Sequence, residues 1–175
     1  MLLEFIASIA LGLGVAGLLM LFNRLSPKAL PAFLLPASAG LAMIAMMVYL
    51  EYSWAKRTID NLPQGVVVTA QSSERMWYRP WTYLKPLSLR MVAIDTRRNR
   101  TNEQWPDQVM TTVVLFGRWL PAREIPVVYD CANATRADLE ADVRFSEQGG
   151  LVGADWRPLT KDDPALMAAC ATIKP

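Results

Sequence analysis

The sequence of 175 residues contains no histidine. Histidine titrates near neutral pH and is the commonest general base and a frequent zinc and copper ligand. Its absence excludes the Ser/His and Cys/His nucleophile pairs and most zinc and copper sites. No other catalytic pattern is recognisable in the sequence. The glycines at 149, 150 and 153 do not form a phosphate-binding loop, because they lack its strand–helix context and its Lys-Ser/Thr. We therefore predict a protein that is not an enzyme, with no metal, no cofactor and no small-molecule substrate. An exported hydrolase using Ser88 and Lys85 is the least favoured alternative.

Cysteine is almost absent as well, with only Cys131 and Cys170 in the chain. Their separation of 39 positions is unlike the spacing of a CxxC redox motif or a zinc knuckle. Two lone cysteines in an exported domain usually pair, so we predict a Cys131–Cys170 disulfide. The alternative is two unrelated thiols buried in a cytosolic domain.

The formal net charge is only +2, and nothing in the total indicates nucleic-acid binding. The distribution is less even. Residues 56–123 carry eleven Lys and Arg against five Asp and Glu, whereas residues 124–175 carry five against nine. The two parts of the domain either attract one another within the fold or present a basic face to a partner.

The first 50 residues contain very little charge and two long apolar runs, 2–22 and 31–50. A helix of about 21 residues rises about 31 Å, which matches a hydrocarbon core of about 30 Å. Glu4 replaces the Lys or Arg that would precede the apolar run of a cleaved signal peptide. We therefore predict a two-span transmembrane α-helical hairpin over residues 1–55. Its short cytoplasmic link, residues 23–30, carries Arg24 and Lys28.

Small residues recur at helical spacing in the first span and allow another helix to approach closely. One face carries Ser8, Gly12 and Ala16, and a second carries Ala10 and Gly14. The partner is either the second span of the same chain or a separate membrane subunit. In the second span, Pro36 is expected to kink or loosen the start of the helix.

The charges that flank the spans do not orient them, because the link carries two basic residues and the far flank carries two, Lys56 and Arg57. The predicted disulfide favours an oxidising compartment. We therefore expect both termini and the domain on the periplasmic side of a bacterial inner membrane.

Residues 56–175 read as an extracytoplasmic α+β domain. Runs of β-forming residues predict strands at 65–70, 88–95, 108–120 and 124–131, the third of them central and buried on both faces. Helix-start signals follow at Thr135, continuing weakly to Phe145, and at Asp163-Pro164, where a short helix would end near Cys170.

Aromatic and basic residues are concentrated in the first half of this domain. Residues 75–83 contain Arg75, Trp77, Arg79 and Trp81, with Pro80 favouring an edge strand or an extended segment. These tryptophans either form an interface or fill the core. Residues 96–106 are predicted to form a polar loop that contains Arg97, Arg98 and Arg100. These arginines would either hold an anion, such as a lipid headgroup or a partner's acidic patch, or simply be solvated.

The sequence thus predicts a non-enzymatic accessory, assembly or scaffolding subunit of a larger membrane complex. Its expected partners are other integral membrane subunits and membrane lipids. The alternative is a binding module for an anionic lipid or an envelope polymer that uses the Arg/Trp-rich first half of the domain.

Overall fold

A computed structural model of the chain describes residues 2–25, 31–139, 143–146, 149–171 and 173. The chain divides into two compact units, Met1–Arg57 and Thr58–Pro175.

The first unit is formed by two long helices, α1 (Leu2–Leu25) and most of α2 (Leu34–Asp60), whose residues after Arg57 belong to the second unit. By length and composition both are apolar enough to cross a membrane, and only about a tenth of each apolar stretch is buried within the protein. Most of the predicted link, including Lys28, lies outside the described residues.

Pro36, where a kink or a loosened helix start was expected, is the third residue of α2 and lies in its first turn. In the first turn of a helix the missing N–H has no intrahelical partner to lose. The next residue, Ala37, already donates its backbone N–H to the carbonyl of Phe33, at 3.1 Å. The helix then continues past residue 50, where the apolar run ends, to Asp60.

The second unit is built on a curled antiparallel sheet of six strands in the order β1-β2-β3-β4-β5-β8. A separate two-stranded pair is formed by β6 and β7. The strands of the described residues are β1 (Val66–Gln71), β2 (Arg90–Asn102), β3 (Trp105–Gly117), β4 (Leu120–Asp130), β5 (Thr135–Asp138), β6 (Arg144–Phe145), β7 (Leu151–Val152) and β8 (Trp156–Pro158). Two short helices accompany them, α3 (Trp81–Leu84) and α4 (Pro164–Cys170).

The core of this unit lies between one face of the sheet and α4. Val113, Val127 and Tyr129 of the sheet are buried against Leu166 and Ala169 of α4. Residues 108–120 were expected to form a strand buried on both faces, and that expectation is wrong. In β3 the buried residues alternate over most of its length with partly exposed ones, as they do in a sheet with one covered face.

The helix predicted from Thr135 to Phe145 is also wrong. Thr135–Asp138 form β5, which pairs with β4 on one side and with β8 on the other. Its backbone groups are satisfied by these neighbours rather than by a helix. Arg144–Phe145 pair with β7, while residues 140–142 lie outside the described part of the chain.

The predicted polar loop at 96–106 is largely a strand, because β2 continues to Asn102 alongside β3. Arg100 pairs with Met110 and Thr101 with Val109, after an irregular stretch that begins at Asp95. An apolar strand can recruit a polar neighbour through backbone hydrogen bonds, which do not depend on side-chain type.

The predicted start of α4 is confirmed. Asp163 caps the helix, with its carboxylate accepting hydrogen bonds from the backbone N–H groups of Ala165 and Leu166, at 2.9 and 3.0 Å. Pro164 occupies the first turn, where it is tolerated. The helix ends at Cys170.

Candidate functional site

The aromatic–basic loop, residues 75–85, carries several exposed apolar side chains of the second unit. It is neither the edge strand nor the extended segment expected from Pro80, since it folds into turns followed by α3. Backbone hydrogen bonds of 2.9 and 3.0 Å between Glu74 and Leu87 close its base, where Leu87 is buried. The buried hydroxyl of Thr82 donates to the carbonyl of Arg79, at 2.7 Å, and accepts the N–H of Met76, at 2.9 Å. The loop is therefore held in a defined shape.

Large apolar side chains project from this loop into solvent. Trp77 is 85% exposed and Leu84 is 92% exposed, and more than half of Tyr78 and Tyr83 is also exposed. Trp77 therefore does not fill the domain core, whereas Trp81 is half-buried. A contiguous apolar patch rimmed by polar groups is typical of an interaction surface.

Basic residues surround these aromatic side chains. Arg75 and Lys85 are exposed at the two ends of the loop, and the guanidinium of Arg79 lies 5.4 Å from the ring centroid of Tyr78. Such a mixture of Trp, Tyr and Arg suits a protein interface or a membrane headgroup layer.

Two of the three arginines singled out in β2 are engaged by carboxylates of the same domain. Arg97 makes a bidentate pair with the buried Asp95, with both nitrogen–oxygen distances at 2.8 Å. The Arg97 hydrogen bonds hold the pKa of the Asp95 carboxyl below its ordinary value, against the opposing effect of burial. Arg98 lies 3.7 Å from Asp95 and donates to Glu124 at 2.7 Å.

Because Arg97 and Arg98 are paired with carboxylates, less of the positive charge of β2 is available to an anionic ligand. Within the described residues Arg100 is exposed and makes no side-chain hydrogen bond or ion pair, so of these three arginines it is the one without a carboxylate partner. The structure does not gather Arg97, Arg98 and Arg100 around a common anion site.

Cys131 and Cys170 are brought together by the packing of α4 beside the sheet. Cys131 follows β4 and donates its N–H to the carbonyl of Asp107, at 2.9 Å, while Cys170 is the last residue of α4. The two residues form a disulfide, with their Cα atoms 5.9 Å apart. This bond ties the C-terminal helix to the end of a core strand.

The two small-residue faces of α1 have different surroundings. Ser8 and Gly12 are buried and Ala16 is half-buried, and Gly12 faces α2: a Cβ at this position would lie 2.9 Å from Cγ of Met43 and closer still to its Cε. Ala10 and Gly14 are exposed, and a Cβ at Gly14 would meet nothing within 4 Å.

Sequence reasoning missed a cleft in the second unit that two tryptophans, Trp105 and Trp156, help to line. Its residues come from separate strands and turns with no fixed spacing, so no motif marks them. Only the strand register brings them together.

No group of three His, Cys, Asp or Glu side chains in the described part of the chain is arranged to hold a metal ion. Comparison of the chain with protein families, curated proteins and solved structures finds no match to any of them.

Proposed function

We propose that this chain is a two-span integral membrane protein that acts as a non-enzymatic accessory, assembly or scaffolding subunit of a larger membrane complex. The observation that carries the proposal is the surface of α1 and α2. These helices are 24 and 27 residues long, and apolar side chains such as Leu3, Phe5 and Phe22 are more than half exposed. Water does not favour so much exposed apolar surface on a helix pair, whereas lipid or partner helices cover it at no such cost.

A partner subunit is supported by the second small-residue face of α1. Gly12 is already used against α2, but Ala10 and Gly14 point away from it and leave room for a further helix. The aromatic–basic loop supplies a second contact, made by the domain, on a protein partner or on headgroups.

The disulfide supports an oxidising location for the domain. On this basis we place the domain and both termini in the periplasm of a bacterium, with the link between α1 and α2 in the cytoplasm.

The alternative function is binding of an anionic lipid or envelope polymer through the arginines. It has less support, because Arg97 and Arg98 are paired with Asp95 and Glu124. If it is correct, Arg100→Ala should lower retention of anionic lipid in the purified protein, and Arg97→Ala should lower it less, because Arg97 is already paired with Asp95.

The main proposal is tested by purifying the full chain from its own membranes in mild detergent. We expect defined subunits to co-purify. Gly14→Leu should reduce their yield about tenfold, equivalent to about 1.4 kcal/mol of binding free energy, without lowering the melting temperature. The same substitution at Gly12 is the matched comparison, since it acts inside the helix pair and should lower the melting temperature. A monodisperse single protein from every mild detergent would contradict the proposal.

The contribution of the domain is tested with a second set of variants. Trp77→Ala together with Leu84→Ala should reduce co-purification, because these are the most exposed apolar side chains of the loop. Trp119→Ala is the control, since Trp119 is an exposed tryptophan outside the loop. Equal losses in the two variants would remove the loop from the interface.

A further inference from the structure

The second unit contains a cleft of about 440 Å³ on the sheet face opposite α4. Ligand pockets for small molecules are commonly about 300–1,000 Å³ in volume. The cleft is lined by Trp105, Gln108, Asp130, Asn133, Thr135, Gly150, Leu151 and Trp156.

The floor of the cleft is set by strand register. Gln108 lies directly opposite Asp130, and Asp130 lies opposite Thr135, so these three side chains project from the same face of three adjacent strands. Trp156 pairs with Ala137, two residues along β5 from Thr135, and therefore shares this face. Tyr129, next to Asp130, points the other way into the core.

One wall is formed where Gly149 and Gly150, just before β7, approach the tip of the β2–β3 hairpin. Gly149 has a φ of +79°, which favours glycine, and a Cβ there would collide with the side-chain amide of Asn102. A Cβ on the next residue, Gly150, would lie only 3.5 Å from the indole of Trp105. Trp105 remains 43% exposed at the mouth of the cleft.

The polar groups of the cleft are partly fixed and partly unused. The carboxylate of Asp130 accepts hydrogen bonds from the backbone N–H and the side-chain amide of Asn133, at 2.9 and 3.0 Å. The amide of Gln108 and the hydroxyl of Thr135 make no hydrogen bond with the described residues, and neither do the two indole N–H groups. The lining of the cleft thus combines hydrogen-bond donors and acceptors with two aromatic rings.

We propose that this cleft binds a neutral saccharide unit. A sugar ring has an apolar C–H face that packs on an indole and hydroxyl groups that both donate and accept hydrogen bonds, which matches the unused amide and hydroxyl groups. None of the described lining residues is basic, and this disfavours an anionic ligand. A quaternary ammonium ion would use the rings but leave the donors unpaired, which is costly on desolvation. The proposal is independent of the membrane role above.

Binding is tested with the full chain in a detergent that lacks a sugar headgroup, since a glycosidic headgroup would compete. The probes are cellotetraose, maltotetraose and chitotetraose, followed by tryptophan fluorescence and by calorimetry. We expect saturable binding of at least one probe. Trp105→Ala and, independently, Gln108→Ala should each weaken it by about tenfold.

Trp119→Ala provides the control, since its indole is also exposed but lies outside the cleft. It should leave saccharide affinity unchanged, and a melting curve of each variant separates lost binding from lost folding. Because Gln108→Ala leaves both indoles in place, it tests the site even if Trp105→Ala does not fold. Absence of saturation with all three probes overturns the proposal. So does equal weakening by Trp119→Ala, or binding of choline chloride or inorganic phosphate in place of the saccharides.

Discussion

At the scale of single residues, Asp95 is a buried charged group with several hydrogen bonds to the rest of its domain. It is only 4% exposed, its carboxylate is held by Arg97, and its backbone carbonyl accepts from the hydroxyl of Thr111, at 3.3 Å. Burying a carboxylate is costly unless hydrogen bonds compensate, and here the compensation comes from its second neighbour along the same strand. Arg97, one of the residues that give β2 its basic character, therefore has a structural role.

Asp95→Asn should lower the free energy of unfolding at pH 7 by about 1–2 kcal/mol. This value lies near the lower end of the cost of disrupting a charged hydrogen bond, because Arg97 is half exposed and solvent screens the pair. The pKa of Asp95 is lowered in the folded protein, so the stabilisation is complete above its unfolded value of about 3.9. It is lost as pH falls through the lower folded-state pKa. The difference between wild type and variant should therefore shrink on acidification, in denaturant titrations over a pH series.

Glu124→Gln serves as the control for this prediction, because Glu124 and Arg98 form an exposed pair. Exposed pairs contribute about 0–1 kcal/mol. A pH-independent difference between wild type and Asp95→Asn would contradict the assignment.

Tyr129 illustrates the opposite situation, a buried polar group without compensation. Its side chain is fully buried in the core, and its hydroxyl has no hydrogen-bond partner among the described residues. Burial raises the pKa of this phenol. Tyr129→Phe should therefore leave the free energy of unfolding unchanged or raise it by up to about 1 kcal/mol.

The dependence of stability on pH above neutrality gives a second test of Tyr129→Phe. In the unfolded wild type this phenol ionises near pH 10, whereas in the folded protein its pKa is higher. The free energy of unfolding should therefore fall as the pH rises from about 10 toward the folded-state pKa. This contribution should be missing from the phenylalanine variant. A loss of more than about 1 kcal/mol at pH 7 would show that the hydroxyl has a hydrogen-bond partner after all.

At the scale of elements, the helix pair distinguishes two glycines that look alike in sequence. Gly12 contacts Met43 of α2, whereas Gly14 meets nothing. Gly12→Leu should destabilise the helix pair by about 1–3 kcal/mol, since it forces Met43 and its surroundings to move. Gly14→Leu should be neutral within the isolated chain.

Thermal melting of the two leucine variants in the same detergent checks this prediction. The informative quantity is the difference between them, because both substitutions replace glycine in one helix with the same side chain. Equal melting temperatures would mean that α1 does not pack on α2 through Gly12.

At the scale of the whole molecule, the disulfide is a covalent cross-link, additional to the main chain, between the C-terminal helix and the sheet. Closing a loop with a separation of 39 residues stabilises the folded domain by up to about 4 kcal/mol in the chain-entropy model. Replacing both Cys131 and Cys170 by serine should lower the melting temperature of the domain. Reductant should have the same effect on the wild type and none on the double variant.

A thiol-labelling assay completes the test. The unreduced wild type should not react, and reaction should appear after reduction. Free labelling of both cysteines without reductant would contradict the disulfide and with it the support for a periplasmic location.

The sequence by itself determined the elements whose signals are local. Two long apolar runs produce α1 and α2, and the Asp163-Pro164 pair starts α4, because a helix satisfies its backbone within its own residues and its caps lie next to them. Only the tertiary structure decided what depends on distant strands. Pairing with β3 extends β2 through Arg97, Arg98 and Arg100. Pairing with β4 and β8 makes β5 a strand rather than a helix, and the register of neighbouring strands assembles the proposed saccharide cleft. Strand hydrogen bonds come from other parts of the chain, so the residues of a strand do not by themselves specify its length or its neighbours.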